Sequence, residues 1–451
     1  MTRLLWGLVS FVLAATPGCT TILGLDAKPL AEADAAVDAG PPCTADDAGY
    51  DDPKVAACWT VYSLPLTLDS QPQYSGASFD GRYVYFVNNT TGFVVRHDVT
   101  APFEAPSSWT GYDTTALQGE GPLPYAGAIF DGRYVYFVPV TPFGSSSGGA
   151  VLRHDTRGDF ASSASWSAYQ PNPSTPVSFA GGTFDGRYLY LSPVVDLQGN
   201  VSGVVTRYDS TASFTEAAGW STFDVTKAGG ADAPNAGAFY GAVFDGRYVY
   251  FVPGAQALGV VARYDSTATF GSATAWAFFN TNLASNLGSG SFSGGAFDGR
   301  FLYLAPSTLG APAFELDLRA PFTAVASWRV HIPDSSVGGS RNGLAPGVAG
   351  AAYDGRHLYF IPGPPQAVSI SNGELGVYDG HVGAFTDGGR WSTFDTTTLD
   401  TTTLDVSDFG ASVFDGRYLY LAPGSGGPFA RFEARATSSQ PPLPHYFGSF
   451  F

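Results

Sequence analysis

The sequence predicts an all-β fold, a seven-bladed β-propeller of four-stranded antiparallel blades, on three observations. A block of the form Phe-Asp-Gly-Arg-Tyr-Val-Tyr occurs seven times, beginning at Phe79, Phe130, Phe184, Phe244, Phe297, Tyr353 and Phe414. The copies lie 51 to 61 residues apart, a spacing suited to units that each form one small sheet. A tryptophan recurs between copies, at Trp109, Trp166, Trp220, Trp276, Trp328 and Trp391, with Trp59 ahead of the first.

Each repeat reads as four strands. Before Asp-Gly stands a short run of small residues, such as Tyr74-Ser-Gly-Ala-Ser-Phe79 or Phe292-Ser-Gly-Gly-Ala-Phe297. These suit the innermost position, where seven strands converge and glycine permits close backbone approach. After Asp-Gly comes a β-branched and aromatic run, such as Arg247-Tyr-Val-Tyr-Phe-Val252. Asp-Gly between two such runs signals a hairpin, with φ > 0 expected at both turn residues. Tyr83, Tyr85 and Val87 would face one way and Val84 and Phe86 the other, so both faces are apolar, as stacked blades require. A third strand ends in Arg96-His-Asp98, Arg153-His-Asp155, Arg207-Tyr-Asp209 or Arg263-Tyr-Asp265, and the recurring Trp opens the fourth. Trp59 precedes the first hairpin and no Trp follows the last at Asp415. The N-terminal strand is therefore expected to complete the C-terminal blade, which closes the ring and removes the open sheet edge.

Composition agrees. The chain has 451 residues, 44% apolar and 15% aromatic, with 14% charged, enough for one large core. Its formal charge is −17 and its only lysines are Lys28, Lys54 and Lys227. There is no basic stripe for nucleic acid, and docking on an anionic lipid surface is disfavoured. Asp26, Glu32, Asp34, Asp38, Asp46, Asp47, Asp51 and Asp52 stand against Lys28 in a segment rich in Ala, Pro and Gly. Residues 19–57 are expected to be an acidic, disordered linker and residues 58–451 the propeller.

At the N-terminus, Arg3 is followed by an apolar run from Leu4 to Ala15 and then by Thr16-Pro17-Gly18-Cys19. This reads as a secretory signal peptide, residues 1–18, too short to span a bilayer. The Gly18-Cys19 pair resembles the lipobox of bacterial lipoproteins, with Thr16 where that family usually has Leu. The resemblance implies that Cys19 is acylated and becomes the mature N-terminus, and Thr20 in place of Asp implies sorting to the outer membrane. The chain is thus expected to be exported, with a lipid anchor as its membrane contact. Cys43 and Cys58, 15 residues apart, are most simply a disulfide in an oxidising compartment. The alternative, a metal site, has no nearby His or third Cys.

Connection lengths locate a candidate site. From the third-strand Asp to the next Trp the distance is 11 residues in five blades and 12 from Asp379 to Trp391. From Trp to the next block it ranges from 18 to 25, and from hairpin Asp to third-strand Asp from 18 to 25. In a meander both variable connections emerge on one face of the disc, and loops on a rigid scaffold are where binding usually resides. Candidate ligand-binding residues on that face are Asn88, Asn89, Phe143, Asp196, Asn200, Asn235, Arg341 and Asn342. The alternative is drift of loop length without function. The repeated residues themselves read as scaffold: Asp80 and its counterparts as turn caps, Arg82 and its counterparts as partners of acids on adjacent strands. A pocket per blade, as in repeated-site propeller lectins, is the multivalent alternative.

Catalytic and metal constellations are weak, and no catalytic residue, metal ligand or cofactor is assigned. His97 and His154 occupy the slot filled by Tyr208 and Tyr264, and His357 replaces a repeated Tyr; His331, His381 and His445 have no ligand-spaced partner. Nucleophile elbow, phosphate loop and calcium loop are all missing. Glu120, Asp196, Asp232 and Asp334 are acids unique to single loops and could pair at the axis as in a glycosidase.

From Trp59 to Phe451 the chain resembles β-propeller proteins in repeat length and strand order, departing from kelch and tryptophan–aspartate repeats. Leader and acidic spacer resemble those of surface lipoproteins of Gram-negative bacteria. The expected function is an outer-membrane-anchored propeller that binds a glycan or protein. The alternative is an exported carbohydrate-active hydrolase or lyase with axial carboxylates.

Overall fold

Twenty-eight strands form seven four-stranded antiparallel sheets in the computed structural model. It describes residues 49–435 except 119–123, 142–148, 172–175, 255, 286–289, 309–310, 333–347, 364–372, 382 and 400–404. Residues 1–48, which hold the expected signal peptide and nearly all of the expected acidic linker, lie outside the described residues.

Blade 1 is built from Tyr74–Phe79, Tyr83–Asn88, Phe93–Asp98 and Trp109–Asp113, in that order from the inside outwards. Blades 2 to 6 begin at Tyr125, Val177, Phe239, Phe292 and Val348 and repeat this order. Blade 7 has three C-terminal strands, Phe409–Phe414, Tyr418–Pro423 and Phe429–Glu433. Its outer strand is Trp59–Tyr62, with Trp59 opposite Phe432 and Tyr62 opposite Phe429. Second strands are buried on both faces after their first residue, as the doubly apolar pattern requires.

The repeated block is accounted for residue by residue. Asp80 Oδ1 accepts hydrogen bonds from the Arg82 and Tyr83 amides at 2.8 and 2.6 Å, and Oδ2 accepts one from the Tyr85 hydroxyl at 2.8 Å. The same three bonds recur in every blade down to Asp415, Arg417, Tyr418 and Tyr420. Tyr85 meanwhile packs on Phe137 and Phe160 of the next blade, so one carboxylate fixes both a turn and a blade contact. The turn itself differs from the expected Asp-Gly centre. The Asp80 amide donates to the Tyr83 carbonyl, so Gly81 and Arg82 are central, and only Gly81 has positive φ, at 99°. Asp80 is therefore selected for its side-chain cap, and the glycine alone carries the backbone demand.

An aromatic belt surrounds the ring at the outer strands. Each Trp stacks on the residue three beyond the Trp of the preceding blade. The pairs are Tyr62–Trp109, Tyr112–Trp166, Tyr169–Trp220, Phe223–Trp276, Phe279–Trp328, His331–Trp391 and finally Phe394–Trp59. Ring centroids are 4.3–5.8 Å apart and interplanar angles at most 24°. Each of these seven indoles donates from Nε1 to a main-chain carbonyl six residues earlier, from Pro53 for Trp59 to Phe385 for Trp391, at 2.8–3.2 Å. At the inner circumference the contact is backbone on backbone. A Cβ at Gly76 would overlap Gly127 of the next blade, and one at Gly410 would overlap the Tyr74 carbonyl.

Trp59→Ala removes the stack, the carbonyl bond and the packing on Phe432 together. It is expected to destabilise the whole propeller by roughly 3–5 kcal/mol, the usual cost of deleting a buried tryptophan side chain, read from chemical denaturation.

Candidate functional site

The two faces of the disc differ in chemistry. On the hairpin face each motif Arg pairs with the acid ending the third strand: Arg82–Asp98, Arg133–Asp155, Arg187–Asp209, Arg247–Asp265, Arg300–Asp317, Arg356–Asp379 and Arg417–Glu433. Hydrogen bonds from Arg247 and Thr267, opposed by partial desolvation, hold the Asp265 carboxyl down at about 2. The repeated charges on this face are thus satisfied by one another. The opposite face carries the second-to-third and interblade connections. Five of the six large apolar side chains most exposed among the described residues lie there, namely Leu66, Val201, Leu258, Leu283 and Ile332. The sixth, Val325, is on the hairpin face.

An axial cavity of about 460 Å³ is lined by the loop-facing ends of the inner and second strands. Its wall follows from a bulge. Each inner strand has an extra residue in its pairing at that end, as between Tyr74 and Gly76 or Phe239 and Ala242, and in blade 3 the partner strand carries an extra residue as well, Val194. A bulge turns the unpaired residue out of the sheet. Here it leaves Ser75, Ala126, Ala180, Tyr240, Ser293, Ala349 and Gly410 against the cavity. The described lining contains no Asp, Glu, Lys, Arg or His side chain.

Tyr240 is the one large residue in this bulge series. It is positioned by an unusual backbone: Ala238 has φ 49° and Gly241 has φ 103°. Ala238 is fully buried, its amide donating to the Ser202 carbonyl and its carbonyl accepting from the Gly254 amide. A Cβ at Gly254 would strike the Tyr240 ring, so this glycine makes room for the tyrosine. Burial raises the Tyr240 hydroxyl above the ordinary tyrosine range, which keeps it a proton donor. Sequence reasoning missed Tyr240. The available signal was a bulky residue in Phe239-Tyr-Gly-Ala-Val-Phe244, where other inner strands carry Ser, Ala or Gly.

The expected ligand-binding residues are distributed unevenly. Asn89 lines the cavity, and its buried Oδ1 has no hydrogen-bond partner among the described residues. Asn88 is fully buried and engaged internally: its Nδ2 donates to Asp69 and to the Gln71 carbonyl, and its Oδ1 accepts from the Thr90 and Thr91 amides. Asp196 and Asn200 shape one projecting turn, with Asp196 accepting from the Gln198 and Asn200 amides and from Asn200 Nδ2, each at 2.9 Å. These bonds outweigh slight desolvation and hold the Asp196 carboxyl below its usual range. Asn235 is exposed in the short turn Ala233–Asn235. Phe143, Arg341 and Asn342 lie outside the described residues, as do Cys19, Cys43, Glu120 and Asp334. Cys58 is buried and disulfide-bonded. Among the described residues no group of three or more His, Cys, Asp or Glu is placed to hold a metal ion.

The histidines fall into aromatic slots. His97 and His154 are fully buried against Trp109 and Trp166, where Tyr208 and Tyr264 pack at a tilt on Trp220 and Trp276. His331, which looked solitary in the sequence, is the belt partner of Trp391 at 4.3 Å.

With this geometry in hand, comparison with solved structures gives the fold. Virginiamycin B lyase from Staphylococcus aureus superposes with a TM-score of 0.51 at 11% identity, over 83% of this chain and 99% of that one. The extracellular domain of a protein described as a hybrid two-component system from B. thetaiotaomicron superposes with a TM-score of 0.52 at 12% identity. That match covers 85% of this chain and 44% of the other. The chain is a seven-bladed β-propeller. No protein-family model matches it, and no curated protein matches it by sequence. At such identities the likeness carries the architecture and not the reaction.

Burial lowers His97 to about 3 and His154 to about 4, so both stay neutral in the folded state well below 6.5, where the unfolded chain takes up protons. Stability is then full above about pH 6.5 and falls as pH drops toward 4, for His97 by up to about 1.4 kcal/mol per pH unit. Blade 3 carries Tyr208 with Gly219 where blades 1 and 2 carry His97 with Ser108 and His154 with Ser165. Replacing both His–Ser pairs by Tyr–Gly is expected to reduce the loss of melting temperature between pH 7 and pH 5 relative to the wild type.

Proposed function

We propose that this protein is a non-enzymatic binding propeller that engages its ligand through the loop face and the axial cavity beneath it. The observation that carries this reading is the asymmetry of the faces. Repeated charges pair with each other on the hairpin face, while variable connections, exposed apolar side chains and the cavity share the other. Exposed apolar residues concentrated on one side of a rigid scaffold favour an interaction surface there. The reading as a carbohydrate-active enzyme with axial carboxylates needs a close pair of acids at the axis, and of its four candidates Glu120 and Asp334 lie outside the described residues.

We further propose, on the Leu4–Cys19 leader and the acidic spacer, that the chain is exported and acylated at Cys19, and that the linker tethers the propeller to the outer membrane. Lipid chains contribute about 0.8 kcal/mol per buried CH₂, so several would anchor it firmly. Cys43 is the proposed partner of Cys58, tying the end of the linker to the ring-closing strand.

Labelled protein should attach to Gram-negative cell envelopes. Val201→Ser, Leu258→Ser and Leu283→Ser together should weaken attachment at least severalfold. Arg82→Ala with Arg187→Ala, on the opposite face, should leave it unchanged. The reverse pattern would place the interaction on the hairpin face. Separately, Cys19→Ala should abolish incorporation of labelled palmitate and release the protein from the membrane fraction; label retained by that variant would refute the anchor.

A further inference from the structure

The cavity wall is selective in what it omits. Among its described residues there is no cation for an anionic ligand and no carboxylate for a basic one, and the chain as a whole carries −17. What it offers is a half-buried aromatic ring, a side-chain amide, serine hydroxyls and main chain. At about 460 Å³ it falls within the ~300–1,000 Å³ typical of small-molecule sites.

Two departures from the sevenfold pattern fall in this wall. In the bulge series, Tyr240 alone is large, held between Ala238 and Gly241 and accommodated by Gly254. In the series at the loop end of the second strands, Asn89 stands where the other blades have Val140, Val194, Gly254, Ser307, Gly363 and Gly424. Asn89 belongs to blade 1 and Tyr240 to blade 4, as far apart round a ring of seven as two blades can be. They therefore face the cavity from opposite sides. A fully buried alanine held at φ 49° is strained, and such strain accumulates where a side chain must be aimed.

We infer that the axial cavity binds a neutral saccharide, with Tyr240 as the platform for one face of a sugar ring and Asn89 as a hydrogen-bonding group on the opposite wall. This rests on the loop-face reading above and names its ligand class. The C–H face of a pyranose is apolar and matches an aromatic ring, while its hydroxyls match a neutral amide. The Ser75 and Ser293 hydroxyls already donate to the Tyr125 and Ala305 carbonyls, and their lone pairs can accept from a sugar hydroxyl.

The test uses the full chain, with neutral glucan, galactan and xylan oligosaccharides and anionic uronate oligosaccharides as probes, on an array and then by calorimetry. At least one neutral oligosaccharide should bind and the uronates should not. Tyr240→Ala should weaken binding roughly tenfold or more, Tyr240→Phe should retain it within a few-fold, and Asn89→Ala should weaken it severalfold. Melting temperatures report that the variants are folded. Binding of uronates only, absence of any neutral ligand, or equal affinity in Tyr240→Ala overturns the inference. Two outcomes separate it from the broader reading. If the loop-face serine variant loses envelope attachment while Tyr240→Ala binds neutral saccharide normally, the loop-face reading stands and the cavity assignment falls. If Tyr240→Ala loses the saccharide while the serine variant attaches fully, the cavity assignment stands and the loop-surface contribution falls.

Discussion

The stacking of each outer-strand tryptophan on an aromatic residue of the preceding blade is the contact on which the ring depends, because it passes through all seven blades and returns to its start. Its seventh link joins Phe394 to Trp59, residues more than three hundred positions apart in the chain. Aromatic pairs contribute about 0.5–1.5 kcal/mol beyond the area they bury. Seven together are comparable to the net stability of a typical domain, ~5–15 kcal/mol. The belt sets the outer spacing between blades, and the glycine contacts at Gly76 and Gly410 set the inner spacing. With both fixed, seven wedge-shaped sheets close without a free edge.

That construction also decides where function can reside. The Asp of each block is occupied by two amides and a tyrosine hydroxyl, the Arg by the third-strand acid, and the indole by a carbonyl. Residues so committed have little left for a ligand. What remains free to differ is the loop face, and within it the positions where one blade departs from the other six. Tyr240 and Asn89 are such departures, and both line the axial cavity.

Most of the fold was legible in the sequence. The block spacing fixed the blade count, the doubly apolar second strands implied stacked sheets, and Trp59 standing ahead of the first block implied the shared last blade. The roles of Asp80 and Arg82 were also legible, because a residue present in every blade is most simply scaffold. The turn centre was not: Asp-Gly reads as a two-residue hairpin loop, and only the Asp80 amide bond to Tyr83 shows that the loop is Gly-Arg. The belt was half legible. Trp was visible, but its partner varies among Tyr, Phe and His, so His331 seemed isolated until Trp391 was placed against it. The site was least legible. Asn89 was selected for lying in a variable connection, whereas Tyr240 was passed over because strand position alone does not reveal a bulge. Asn88, chosen for the same reason as Asn89, is one residue away and points into an internal network.

Amide hydrogen exchange on the whole chain tests most directly whether the propeller is one closed unit. If the belt and the shared blade operate as described, amides of the ring-closing strand Trp59–Tyr62 will be protected to the same degree as those of Trp220–Asp224 and Trp276–Asn280, and all will open together. Much faster exchange in Trp59–Tyr62 and in the strands of blade 7, with the other six blades still protected, would contradict it.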